Sequence, residues 1–164
     1  MMKTNQPQPI ATPDPANDAA QEHGDLTDLL GELRVMLPGA QMLTAFLIVL
    51  PFNSGFQQII KAEKIIFLAT FFLALTSLVL LSGPAIQHRL MTPLRDRIGF
   101  KRMAMRQLIA GGVALALAFV LATILVMSEV FGTRPGIIAG IAVAMLITCL
   151  WLLLPLYMRK HRRM

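Results

Sequence analysis

Residues 65–86 read IIFLATFFLALTSLVLLSGPAI, an apolar run with no charged side chain. A helix needs ~20 such residues to cross the hydrocarbon of a bilayer, so this run is long enough to span. Three more runs of the same character lie at about residues 35–52, 108–131 and 137–157. None alternates apolar and polar residues with period two, which argues against membrane strands. In lipid every backbone amide needs an internal partner, so four transmembrane helices follow and the fold class is all-α, an integral membrane four-helix bundle. The whole composition agrees: 55% of the 164 residues are hydrophobic and mean hydropathy is +0.64, too apolar for a water-soluble domain of this length.

Outward from the spans, the chain changes character. Residues 1–24 carry Pro7, Pro9, Pro13 and Pro15 among Asn, Gln, Asp and Ala, a mixture that predicts a disordered tail. They lack the apolar core of a secretory signal, so the first span is expected to be retained. From Asp25, the residues Leu26, Leu29, Leu30, Leu33 and Leu37 follow helical spacing and predict a short amphipathic helix at the membrane surface. The transmembrane domain is expected over 25–158 and a basic tail over 159–164. Pro38 and Pro51 bracket the first span; Pro84 and Pro155 fall near the ends of the second and fourth, where they remove few helix bonds.

Lys and Arg set the expected orientation. The connection after the second span holds Arg89, Arg95, Arg97, Lys101, Arg102 and Arg106, and the tail holds Arg159, Lys160, Arg162 and Arg163. The other two connections hold Lys61, Lys64 and Arg134. The positive-inside rule then places both termini in the cytoplasm. Anionic lipid headgroups are the natural counter-charge for a net charge of +6. Nucleic acid is excluded as a partner, because no basic stretch is interleaved with stacking aromatics and the chain has one Trp and one Tyr. Those two, Trp151 and Tyr157, suit membrane anchoring. The basic segment 93–107 also carries Leu94, Ile98, Phe100, Met103 and Met105; it fits a helix on headgroups or running into the third span, and equally a solvated loop.

Helices in lipid associate through small residues that let backbones approach. The third span has Ala110, Ala114, Ala118 and Ala122 spaced by four, and the fourth has Gly136, Gly140, Ala144 and Thr148. With only 132–135 between the spans, the two stripes are expected to meet in a tight hairpin, or one faces a second protomer, so a homo-oligomer or another membrane protein is the expected partner.

Candidate polar groups cluster at span ends. Glu32 and Arg34 precede the first span, while His88 and Arg89 end the second on the same side. Glu32 can pair with Arg89 or His88 to fix helix register, or His88 can accept a proton with Glu32 as partner. Gln41, within the first span, predicts an interhelical hydrogen bond ahead of substrate binding. Glu129 closes the third span with Arg134 beyond Gly132, giving an ion pair at the outer interface or an ion-binding carboxylate.

No paired carboxylates, zinc-spaced ligands, nucleophile with base or phosphate-binding glycine loop is present, and His23, His88 and His161 are scattered. The lone Cys149 permits no intrachain disulfide. No enzyme, cofactor or metal is expected.

The stretch 31–52, GELRVMLPGAQMLTAFLIVLPF, together with Phe56 and His88, Arg89 and Leu90, resembles an uncharacterised family of small bacterial four-helix membrane proteins, a domain of unknown function. The resemblance covers about residues 26–157 and is most specific at Glu32, Leu33, Arg34, Pro38, Gly39, Gln41, Pro51 and Phe52. It implies the bacterial inner membrane. Some members carry a sodium/proton antiporter label; no ion-coupling motif accompanies it here. The leading expectation is a non-enzymatic accessory or interaction component. The competing one is a small oligomeric cation- or proton-coupled transporter or channel, for which Glu129 would be the working carboxylate. Small multidrug exporters of this length place an acid within the first span, whereas 35–52 is acid-free here.

Overall fold

The computed structural model describes residues 15–58, 60–90 and 97–161, with side chains described for 31, 33–56, 60–90 and 99–158. Among the described residues there are four long helices: α1 (Pro15–Val49), α2 (Lys61–Leu90), α3 (Arg97–Phe131) and α4 (Thr133–Thr148). α4 continues through a single π-helical turn (Cys149–Leu153) into α5 (Leu154–His161). Short 3₁₀ turns (Leu50–Phe52, Ser54–Gln58) connect α1 to α2. The spans sit inside helices that are long and apolar enough to cross a membrane at Leu33–Phe52, Lys61–Leu90, Gly99–Phe131 and Thr133–Met158. The all-α, four-span architecture is therefore the one expected.

At ~1.5 Å per residue the 30 residues of α2 extend ~45 Å, beyond a ~30 Å hydrocarbon layer. The overhang carries Lys61 and Lys64 out at one end and His88 and Arg89 at the other.

α1 corrects two boundaries. Helix begins at Pro15, within the segment expected to be a disordered tail, and there is no separate amphipathic helix from Asp25; both belong to one 35-residue helix. Pro15 suits the first helical position, where no amide donor is needed, and Ala16, Ala19, Ala20, Gln21 and Glu22 are strong helix formers. Residues 1–14 lie outside the described residues. Pro38, expected to bracket the span, lies within α1, and the helix continues past it because in lipid there is no water to satisfy an open backbone. The helix gives way at Pro51 instead, inside the first 3₁₀ turn.

The basic segment proves helical where described: Arg97 starts α3, and Phe100, Ala104 and Leu108 are buried. Residues 91–96 lie outside the described residues. At the far end, Glu63 accepts the Ile60 amide (3.1 Å), half of a capping box that starts α2.

α2 and α3 form the closest pair, α1 lies mainly on α2, and among the described residues α4 touches α3 but neither α1 nor α2. The buried stripe of α2 is Thr70, Ala74, Ser77, Leu81 and Pro84, at alternating spacings of four and three. Two apolar clusters join the first three helices: Leu33, Ala40, Leu81, Phe100, Ala104, Leu108 and Leu115, then Leu47, Ala74 and Ala118. Gly111 permits the α2–α3 approach, since a Cβ there would lie 3.0 Å from Leu81.

The α3–α4 connection is one residue, Gly132, at φ +90°, a conformation side chains oppose. Its amide donates to the Ser128 carbonyl (2.9 Å) and its carbonyl accepts from Gly136 (3.2 Å). At the other end of α4, Pro155 lacks the amide that would reach the Trp151 carbonyl. The ladder slips one residue ahead of it, Leu154 donating to Cys149, and the π turn results.

Candidate functional site

The helix pairing corrects the expected meeting of small-residue stripes. On α3, Ala114 and Ala118 are buried, and Ala118 packs with Leu47 of α1 and Ala74 of α2. Ala110 is exposed and Ala122 half-buried. The glycines of α4 find a different face. A Cβ at Gly136 would sit 2.9 Å from the Ser128 amide nitrogen and 3.0 Å from the Ile124 carbonyl oxygen, and one at Gly140 would sit 2.7 Å from Ile124 Cδ1. The contact surface on α3 is therefore Val120, Ile124 and Ser128, spaced by four. Ala104 and Ala118 already line the α1–α2 side of α3, so the larger residues on its other side meet the glycines.

Beyond Gly140 the hairpin opens. Ala144 is half-buried and Thr148 exposed, its hydroxyl donating to the Ala144 carbonyl (2.8 Å). A cavity of about 300 Å³ occupies the opening, lined by Val113, Leu117, Val120, Ala144, Thr148 and Trp151 among others. The Trp151 ring and Met36 of α1 both approach the Cα of Gly112, at 3.9 and 3.5 Å from where a Cβ would stand.

At the end shared by the start of α1, the end of α2 and the start of α3, the expected polar cluster comes together only in part. His88 is half-buried, with its ring 5.9 Å from that of Phe100. Phe100 belongs to the same cluster as Leu33, so α1 reaches this corner too. Arg34 and Arg89 are exposed. The side chain of Glu32 lies outside the described residues. Gln41 is exposed, not buried against a neighbouring helix as expected; Ala40 takes the buried position beside it.

The amides with a buried oxygen are those of the half-buried Gln87 and Gln107, which sequence reasoning passed over. Gln107 Oε1 lies against Gly83, 3.1 Å from where a Cβ would stand. Gln87 is one turn along the same face of α2. The Oε1 atoms of both are buried without a hydrogen bond among the described residues, as is the hydroxyl of Ser77. The glycine opposite Gln107 was the available signal, because it makes room for an amide between helices. Thr44 and Thr70 instead bond the carbonyls of Ala40 (2.8 Å) and Ile66 (2.7 Å) in their own helices.

At the opposite end, Glu129 and Arg134 are both exposed, and no ion pair joins them among the described residues. Glu129 instead borders a cavity of about 290 Å³ between the ends of α1 and α3, with Phe46, Leu50, Phe56, Leu125 and Val130. Asn53 and Gly55 of the connecting turns close it. The Phe56 ring is braced edge-on by Phe67 of α2 at 4.8 Å.

Residues 18–155 match the family described as Family of unknown function (DUF6328). No curated protein and no solved structure matches the chain. A match that runs from the first turn of α1 to the proline after the π turn takes in all four spans, and the chain belongs to this family of unknown function.

Proposed function

We propose that the protein is a non-enzymatic interaction component of the bacterial inner membrane, with both termini cytoplasmic, that associates with a second copy or another membrane protein through α4. The observation that supports this is the one-sided packing of α4. Among the described residues it rests on α3 alone, and its buried residues are Gly136 and Gly140, while Ile138, Ile141, Met145 and Leu146 are exposed. An apolar surface can face lipid, but a helix packed on a single neighbour, with little of its surface buried, leaves a whole apolar face for a second helix. Arg34, Arg89, Arg102 and Arg106 at the end shared with the termini support the orientation.

Cys149, the single cysteine, is exposed on the π turn and reports on this face directly. Crosslinking at Cys149 in native membranes, followed by pull-down, mass spectrometry and light scattering, is the test. A stoichiometric partner or a second copy captured through Cys149 is expected. A monomeric mass with no captured protein overturns the proposal.

A second reading, a small oligomeric cation- or proton-coupled transporter, draws on the position of Glu129 beside a cavity. It requires flux in proteoliposomes that Glu129→Gln abolishes while assembly persists.

A further inference from the structure

We infer that the cavity between the ends of α1 and α3 is a binding site for a phospholipid with an ammonium headgroup. This does not rest on the proposed function. At about 290 Å³ the cavity lies at the lower edge of the ~300–1,000 Å³ of small-molecule pockets, so it takes a headgroup and the first part of one chain rather than a whole lipid. Its walls are apolar, with Phe46, Leu125 and Val130 suited to hydrocarbon. Among the described residues that line it, Glu129 is the one ionisable group.

The carboxylate stands in the last turn of α3, at the end of a span, which is the depth of lipid headgroups. There it attracts an ammonium and repels an anionic headgroup. Phe46 and Phe56 also line the cavity, and aromatic rings add to the preference for a cation. Asn53, on the same rim, offers amide donors to phosphate or ester oxygens. The wall is also preformed: Phe56 is braced by Phe67, and its amide donates to the Asn53 carbonyl at 3.1 Å. Three features thus match one amphiphile: an apolar trough, a carboxylate at headgroup depth and an amide beside it.

The full chain, delipidated in mild detergent, is titrated with phosphatidylethanolamine and phosphatidylglycerol of identical acyl chains, with bound lipid read by native mass spectrometry. Phosphatidylethanolamine is expected to bind about tenfold more tightly, the factor given by ~1.4 kcal/mol. The preference should vanish in Glu129→Gln and persist in Glu129→Asp, which keeps the charge. Equal binding of the two lipids, or a preference that survives Glu129→Gln, overturns the assignment. So does a soluble alkylammonium that binds through Glu129 when the lipids show no preference.

Discussion

Gly140 of α4 sits so close to Ile124 of α3 that a Cβ on the glycine would come within 2.7 Å of Ile124 Cδ1. Together with Gly136, this contact brings the two backbones together. Gly140→Leu is therefore expected to destabilise the hairpin by at least the ~1–3 kcal/mol typical of overpacking. Thermal unfolding in detergent reads the loss. Gly39→Ala is the control: nothing lies within 4 Å of its Cβ position, so no loss is expected, and helix propensity favours Ala there by up to ~1 kcal/mol. If Gly140→Leu melts like the parent, the glycine contact does not hold α4.

Ala118→Leu should act on the other side of α3. Ala118 is fully buried between Leu47 and Ala74, so the added bulk separates α1 and α2 from α3, at ~1–3 kcal/mol. Exchange of backbone amides by deuterium should rise in α1 and α2 and stay constant in α4. A uniform rise would contradict the division of α3 into two packing faces.

These two faces mark the limit of what the sequence displays. The spans were legible because an uncharged run of bilayer length has few other uses. The small residues of α3 and α4 were legible as packing signals, but a stripe names a face without naming its neighbour. Only the packed helices reveal that Ala118 meets Leu47 while Gly140 meets Ile124. The start of α1 was hidden by prolines that look like disorder, although Pro15 occupies a helical position where proline is tolerated. Gln41 stands out as the amide nearest the middle of its span, yet the amide oxygens that are buried belong to Gln87 and Gln107, because burial depends on which side of the helix an amide occupies.

Ser77→Ala is expected to leave stability unchanged or raise it by up to ~1 kcal/mol. The Ser77 side chain is fully buried and its hydroxyl has no partner among the described residues, so replacement removes an unsatisfied polar group. Equilibrium unfolding in mixed micelles tests this. A loss above ~1 kcal/mol would mean that the hydroxyl is bonded in the membrane.

Pro155→Ala restores the amide that the Trp151 carbonyl lacks and should convert the π turn to regular α-helix. Each residue of register corresponds to ~100° about the axis, so Trp151 should turn from Gly112 toward lipid. Trp151 is the only tryptophan, which makes its fluorescence a clean reporter. Quenching by brominated lipid is expected to strengthen; unchanged quenching would show that the turn persists without the proline.

The attachment of α4 to α3 alone sets a mechanical order for the molecule. Drawn upward by its C-terminus, the chain should peel away α5, the π turn and α4 in one low-force step, stopping at the Gly132 hinge. The three helices that remain share two buried clusters and should yield together at higher force. The reverse path describes assembly: α1 to α3 can pack before α4 has emerged, and the last hairpin closes onto a platform already built.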